Sequence, residues 1–557
     1  MFIYRTSTEY PLPRATHPPS PPLAGTPSSY GSTSVTTRRG SKTGKVDRGL
    51  SKKSGKIGAR GTSDHAASLR PLSCGTGPRH RYRTTINMLP DDVLLETFIF
   101  CLCRPYEAPF SCMLTWHVLV HVCRRWRQII FSSPRRLDLK ILCTLGMPVR
   151  KNLDCWPAFP IVVDYHVYWK PDSGKSSLPD EEDNIIAALE HPDRVRCVKL
   201  TLPSPLLAKV AKVMKEPFPI LTLLRLSSED VNVSTLPNTF LGRSAPQLRE
   251  IYLEGIPFPT LPTLFLSSAN DLVNLQLHNI PNNGYISPEA MVTGLTALNR
   301  LETLSIRFQS SIFHSNVSSR TPPVTRIILP SLTLFGFRGN SEYLEVLVAQ
   351  IDAPRLVFSR ITYFNQLIFE VPHLSRFIAR AENLGPAPFR HAQVGLGGGK
   401  AYISCVCAQS SPVKTYLFLQ VSCQGLDWQV SCMTQILSQS SPILTNVAHL
   451  SIHAHCLRPG WKNDMVHSDW PDLLRPFIVV ETLLVSRQLA GHVALAFQQV
   501  TGETVAEVLP TLHLLCLEGQ MDAAVSKFTA ARRHSARSVT TVSTLSDFLK
   551  IRGSHCT

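Results

Sequence analysis

The sequence LREIYL at residues 248–253 belongs to a unit that recurs along the chain: an apolar anchor, two variable residues, then apolar, variable, apolar. Six copies follow one another, namely VRCVKL (195–200), LTLLRL (221–226), LREIYL (248–253), LVNLQL (272–277), LETLSI (301–306) and LTLFGF (332–337). Their anchors are 26, 27, 24, 29 and 31 residues apart. Each copy fits a short strand, and the spacing leaves room for one return segment per repeat. The sequence therefore predicts an α/β fold whose successive strands lie side by side.

This spacing is typical of an irregular leucine-rich-repeat solenoid, which we predict for residues 191–531. The segment PSPLLAKVAKVMKEPF (203–218) is predicted to return as a helix, and further echoes of the unit occur at 447–452, 480–485 and 512–517. Chance matches in an apolar-rich chain would not give six consecutive copies in one register. Residues 385–425 break the pattern and are predicted to be a loop insertion, with GLGGGK (395–400) on its surface.

A second informative stretch is MLPDDVLLETFIFCLCRPYEAPFSCMLTWHVLVHVCRRWRQIIFSSPRRLDL at 88–139. Pro90 suits the start of a helix, and Asp91 follows where the helix dipole favours negative charge. Leu94 and Phe98 begin an apolar stripe of helical period, and a second stripe runs through WHVLVHVCRRWRQII. The stretch therefore predicts a compact all-α module at residues 86–140.

The pairing of LPDDVLLETF with HVCRRWRQI resembles the F-box. The resemblance implies binding to a Skp-family adaptor and, through it, to a cullin-based ubiquitin ligase core. The residues that it implies at the adaptor interface are Leu89, Pro90, Val93, Leu94, Val122, Cys123 and Trp126. Residues 89–531 as a whole resemble F-box proteins of basidiomycete fungi, which implies an F-box followed by a leucine-rich-like array. The alternative for 86–140 is an ordinary three-helix packing unit.

The remaining parts of the chain are assigned by composition. Residues 1–83 hold 15 Lys and Arg against 3 Asp and Glu, so +12 of the net charge of +17 belongs to the amino-terminal segment. Residues 1–85 are predicted to be a disordered basic tail, because they contain too few large apolar residues to form a core. This tail is either a nuclear import signal or a merely solvated segment. Residues 141–190 are predicted to connect the module to the array through a strand at 161–165 and a helix beginning at 178, and 532–557 to form a carboxy-terminal tail.

The length of the apolar runs, the cysteines and the distribution of charge restrict the location and the partners that we expect for this protein. No apolar run approaches the roughly 20 residues that span a bilayer, so we expect no membrane contact. The 15 cysteines are scattered without a framework, which favours reduced thiols and a cytoplasmic or nuclear location. Only +5 of the charge lies outside residues 1–83. This distribution argues against a specific nucleic-acid binder.

No enzyme motif is visible, and we predict neither catalysis nor a cofactor. GLGGGK lacks the first glycine and the Ser or Thr that a phosphate loop requires. His453 and His455 would share one face of a strand, with Cys405 and Cys407 upstream. Zinc sites usually draw paired ligands from two segments at a spacing that is missing here. We therefore predict plain strand residues rather than a metal site.

The interleaved positions of the repeated strands are predicted to face a concave surface. They include a mostly polar strip with a positive bias, made of Lys199, Arg225, Tyr252, Gln276, Ser305 and, one step along, Arg307 and Arg338. Aromatic and arginine side chains are common interface anchors. The strip predicts an acidic or phosphorylated client segment, with Arg225 and Tyr252 near its centre; alternatively these are only solvated strand residues. The predicted function is a ligase substrate receptor, with a scaffold acting outside any ligase as the alternative.

Overall fold

The structure of the chain is a computed structural model. It describes residues 86–102, 115–165, 178–230, 233, 235–257, 271–310, 326–366, 368–384, 389–407, 415–423, 425–455, 469–499, 507–518, 523–534 and 538–548. The chain divides into two units, Met1–Arg83 and Thr84–Thr557. The first unit, and with it the tail predicted at 1–85, lies outside the described residues.

Helices and strands alternate along most of the described chain. The helices are α1 (Asp91–Leu102), α2 (Thr115–Val120), α3 (Arg124–Ser132), α4 (Val149–Cys155), α5 (Leu178–Leu189), α6 (Ser204–Val213), α7 (Pro288–Leu295), α8 (Ser341–Ala349), α9 (Pro372–Ala379), α10 (Leu426–Gln439), α11 (Ser441–Leu444), α12 (Trp470–Leu474), α13 (Arg487–Gln499) and α14 (Ala523–His534). The strands are β1 (Ile141–Cys143), β2 (Ile161–Tyr165), β3 (Val195–Thr201), β4 (Leu223–Ser227), β5 (Glu250–Glu254), β6 (Asn274–Ile280), β7 (Thr303–Phe308), β8 (Ile327–Ile328), β9 (Leu334–Gly339), β10 (Ile351–Asp352), β11 (Phe358–Tyr363), β12 (Phe389–Gly397), β13 (Lys400–Cys407), β14 (Tyr416–Ser422), β15 (His449–Ala454), β16 (Thr482–Val485), β17 (Leu514–Leu517) and β18 (Thr540–Val542).

One long sheet dominates the fold. It contains 16 strands in the order β1-β2-β3-β4-β5-β6-β7-β9-β11-β14-β13-β12-β15-β16-β17-β18, while β8 and β10 pair separately. Neighbouring strands are parallel, except that β13 runs antiparallel to both β12 and β14. The protein is therefore a mixed α/β fold built on a mostly parallel sheet, and all six repeated units predicted as strands contribute to it.

The alternation of side chains explains why these segments form strands. In β3, Val198 and Leu200 are fully buried, whereas Arg196 between the strand's apolar positions is exposed. The helices that follow the strands bury their own apolar residues in the same continuous core, as α6 does with Leu207 and Val210. Removing such a side chain from water contributes about 1.5–3 kcal/mol. One face of the sheet therefore packs against the helices in the core.

The helices α1, α2 and α3 pack into the same core at its amino-terminal end. Leu94 and Phe98 of α1 are buried, and the ring of Phe98 lies 4.8 Å from that of Trp126 on α3. The indole of Trp116 on α2 donates a hydrogen bond to the carbonyl oxygen of Lys140, just before β1, at 3.1 Å. The helices predicted at 86–140 are therefore present, and they are anchored directly to the first strand.

The strand predicted at 161–165 and the helix predicted to begin at 178 are present as β2 and α5, but the sheet extends beyond the predicted array of 191–531 in both directions. The sheet begins at β1, inside the segment predicted to be a connector, and reaches β18, inside the segment predicted to be a tail. Val539 and Phe548 are buried there. The pairing of β17 with β18 is parallel like that of the preceding strands. The edge strands β1 and β18 have three residues each, which is too short for a sequence pattern to stand out.

The loop predicted at 385–425 is wrong, because this region supplies β12, β13 and β14. The GLGGGK stretch forms the end of β12 and its turn into β13 rather than a surface loop. Gly397 has a φ of +121°, and a Cβ added there would lie 2.3 Å from the carbonyl oxygen of His455. Only glycine fits that position, so the glycines close a tight hairpin within the sheet.

Candidate functional site

The strand register brings the predicted client residues onto one face of the sheet. Lys199 pairs with Arg225, Arg225 with Tyr252, and Tyr252 with Gln276 across four adjacent strands. The next strands continue the same row with Ser305 of β7 and Gly336 of β9, while Arg307 and Arg338 pair with each other two residues further on. Because residues two apart in a strand share a face, all of them lie opposite the core. We call this side the open face.

On the part of the open face formed by β2 to β5, the charged side chains contact one another or an aromatic ring. Lys199 Nζ lies 3.2 Å from Oδ2 of Asp164, a carboxylate that is only 5% exposed. The guanidinium carbon of Arg225 lies 4.2 Å from the centre of the Tyr252 ring, and the Tyr252 hydroxyl donates to Oε2 of Glu254 at 2.8 Å. The predicted centre, Arg225 and Tyr252, is therefore engaged in internal contacts.

A buried histidine extends this network towards β7. His278 Nδ1 lies 3.3 Å from the Tyr252 hydroxyl oxygen, and its Nε2 lies 3.0 Å from Oγ of Ser305. Burial, with the charges of Arg307 and Arg225, lowers the pKa of His278 to about 3, and burial raises that of Tyr252 to about 12. Both groups are therefore neutral at pH 7 and hold the strands together through hydrogen bonds.

Three arginines occupy the middle of the open face. Arg307 of β7 pairs with Arg338 of β9. On the next strand, β11, Arg360 pairs with Gly336, which lies two residues before Arg338. Burial lowers the pKa of Arg307 and of Arg338, and the charges of Arg360 and Arg338 lower that of Arg307 further. None of the three forms an ion pair with any residue that the structure describes. These three arginines therefore concentrate positive charge that no described carboxylate pairs with.

An aromatic band adjoins the arginines. The guanidinium carbon of Arg360 lies 5.3 Å from the Phe418 ring, which stacks on Tyr402 with centroids 5.4 Å apart. Tyr416 continues the band and stacks on Phe358 at 4.9 Å. The band offers flat apolar surface next to the positive charge.

A cavity of about 340 Å³ lies further along the open face, over β12, β13, β15 and β16. His391 and His449 stack at its wall with centroids 4.7 Å apart. His449 Nδ1 lies 2.7 Å from Oγ1 of Thr482, and Phe548 closes one side. Its walls combine imidazole, hydroxyl and apolar groups.

The histidines and cysteines considered for zinc point to opposite sides of the sheet. His453 lies on the open face, where its Nε2 is 2.7 Å from the Tyr402 hydroxyl. Cys405 is fully buried and alternates with Tyr402 and Ser404 along β13. Within the described part of the chain, no three histidine, cysteine or acidic residues are placed to hold a metal ion together.

The residues that the F-box resemblance implied at an adaptor interface are only partly exposed. Leu89, Val93 and Val122 are 38%, 42% and 56% exposed, and we call these three the helical apolar surface. Arg125 ties the start of α3 to the start of α1, because its guanidinium donates both to Oδ1 of Asp91 at 2.6 Å and to the carbonyl oxygen of Leu89 at 2.5 Å.

The other four implied contact residues behave differently. Leu94 is completely buried, so its assignment to a contact surface is wrong and it is a core residue. Cys123 caps α3, its sulfur accepting from the backbone N–H of Trp126, whose side chain packs on the core. Pro90 is exposed at the start of α1.

Arg360 and Phe418 are not among the residues predicted from the sequence, because β11 and β14 were not predicted as strands. The alternation of buried and exposed positions in FSRITY and YLFLQVS was the available signal.

No known family model matches the chain, and no curated protein matches it. Among the described helices, none has the length and apolar character needed to cross a membrane.

Proposed function

We propose that this protein is the substrate-recognition subunit of a cullin-based ubiquitin ligase. In this proposal residues 86–140 are an F-box that binds a Skp-family adaptor through the helical apolar surface. The long sheet and its helices are an irregular leucine-rich-repeat solenoid, and its open face binds the client protein. Catalysis belongs to partner enzymes, and the chain acts by holding the client close to them.

The observation that carries the proposal is the division of apolar residues in the amino-terminal helices. Leu94 and Phe98 face the core and fix α1 in place. Leu89, Val93 and Val122 remain in solvent although the core lies beside them. Exposed apolar residues held on a rigid support are what a protein partner buries on binding. Their positions agree with the LPDDVLL and VCRRWR segments that resemble the F-box.

The experiment is co-expression of the full chain with a Skp-family adaptor, followed by capture and gel filtration. The wild-type chain should elute with the adaptor as one complex. Val93→Glu combined with Val122→Glu should reduce recovery of the adaptor at least ten-fold, because two charges would be desolvated at the interface. Both side chains are exposed, so the melting temperature of the chain should stay within about 2 °C of wild type.

The matched control is Leu495→Glu, which places the same charge on an apolar residue of α13 that is 54% exposed. It should leave adaptor recovery unchanged. Retention of the adaptor by the double variant at wild-type level would contradict the F-box assignment. A wild-type chain that binds no adaptor but still captures clients would instead support a scaffold acting outside a ligase.

A further inference from the structure

Three arginines lie close together on neighbouring strands at the centre of the open face. Seven other described arginines form ion pairs with carboxylates, namely Arg125, Arg136, Arg150, Arg196, Arg300, Arg380 and Arg475. Arg307, Arg338 and Arg360 form none with any described residue. Their charge is therefore available to an external anion.

Among the described residues, little negative charge lies within electrostatic reach of Arg307 and Arg338. The carboxylate in electrostatic reach of Arg307 is Glu254. Its oxygens already accept hydrogen bonds from Tyr252 at 2.8 Å and Asn279 at 3.0 Å. Glu254 therefore stabilises its own strand neighbours first.

The arrangement is costly unless an anion offsets it. Arg307 and Arg338 are direct cross-strand partners, and like charges directly opposite each other destabilise a sheet. Burial adds to this cost, because it disfavours the charged form of both side chains. In addition, Nε of Arg338 is buried without a hydrogen-bond partner. A bound anion would stabilise all three charges together.

The register also creates a place for the anion. Ser305 and Gly336 are adjacent in the row below Arg307 and Arg338, and they are the smallest side chains there. Arg360 borders Gly336 on the other side. With strands about 4.8 Å apart and residues about 3.3 Å apart along each strand, the Cα atoms of Arg338 and Arg360 are about 8 Å apart. The three arginines therefore border the two small residues Ser305 and Gly336 in the register of the sheet.

We propose that Arg307, Arg338 and Arg360 form a phosphate-binding site for a phosphorylated segment of a protein client. A phosphate is favoured over a carboxylate because it carries up to two charges and three acceptor oxygens, which several planar guanidinium groups can share. The aromatic band of Phe418, Tyr402 and neighbouring rings would take an apolar side chain next to the phosphorylated residue. The site rests on the proposed function only in calling the bound protein a ligase client.

The test uses the full chain and two immobilised probes: a degenerate phosphoserine peptide library and the same library without phosphate. The wild-type chain should be retained at least ten-fold more strongly by the phosphorylated library. Arg338→Gln with Arg360→Gln should remove this difference, and inorganic phosphate should compete for the wild-type chain. Arg300→Gln is the matched control, because it removes a surface arginine that is paired with Asp271, and it should bind like wild type.

Folding of the variants is checked by melting temperature, which should not fall, because the double substitution relieves repulsion. Phosphate should raise the melting temperature of the wild type above that in chloride at equal ionic strength, and should not do so for the variant. Equal binding to both libraries, or unchanged binding by the variant, would overturn the proposal. So would tighter binding of a single-stranded oligonucleotide that depends on the same arginines. Phosphopeptide binding without adaptor binding would leave the site standing and remove the ligase function.

Discussion

The pH dependence of stability should carry the signature of His278. Its pKa is about 3 in the fold against 6.5 for the free side chain. Protonation therefore favours the unfolded chain, so the stabilisation from neutral His278 is complete above pH 6.5 and is lost as the pH falls towards 3. Between pH 8 and pH 5, these two pKa values correspond to a loss of about 2 kcal/mol in the free energy of unfolding.

The measurement is urea unfolding, followed by circular dichroism, at pH 8 and pH 5. His278→Gln removes the titrating ring and keeps a polar group near Ser305, although it loses the edge-to-face contact with Tyr252 at 4.9 Å. The variant should be less stable at pH 8, but its loss between pH 8 and pH 5 should be smaller than that of wild type by about 2 kcal/mol. His513→Gln, at an exposed position, should keep the wild-type difference. Identical pH dependence of His278→Gln and wild type would refute the reasoning.

Three further predictions concern the core and the hairpin. Gly399→Ala should cost about 1 kcal/mol for its positive φ alone, whereas Gly397→Ala should cost at least about 2 kcal/mol more because its Cβ would meet the His455 carbonyl oxygen; thermal unfolding would show the order, and equal costs would contradict it. Leu94→Ala should lower the free energy of unfolding by about 2–5 kcal/mol, and a urea midpoint unchanged from wild type would show that the residue is not in the core. Burial raises the pKa of Glu345 from 4.5 to about 7, so the contribution of Glu345 to stability should fall as the pH rises through that interval; the change in the free energy of unfolding should then differ between wild type and Glu345→Gln by up to about 3 kcal/mol, and the same change in both proteins would contradict this.

The repeated units could be predicted as strands because their signal was both local and repeated. An anchor such as Leu248 and the alternation in the residues after it mark one buried face, and the structure has β5 there. The return helix α6 followed from the period of its apolar residues for the same reason. These elements needed no knowledge of distant neighbours.

The hairpin and the place of Arg360 beside Arg307 and Arg338 could not be predicted in this way. Val394 and Leu396 are buried in β12, but the hairpin that follows them does not fit the spacing of about 27 residues between the repeated units. Arg360 lies near Arg307 and Arg338 because β11 is the neighbour of β9 in the sheet. The order of strands in a sheet does not follow from a local sequence pattern.

Within the part of the chain that the structure describes, the long sheet ends at β1 and at β18, and each of these two strands pairs on one side. An uncovered edge is a template for pairing with another chain, and therefore a risk of aggregation. At one end β1 is short and fully buried, and Trp116 of α2 bonds to the carbonyl of Lys140 next to it. At the other end Phe548 packs on β17 beside β18. The amino-terminal helices thus help to cover this edge of the sheet, and a chain that begins after them should be prone to self-association.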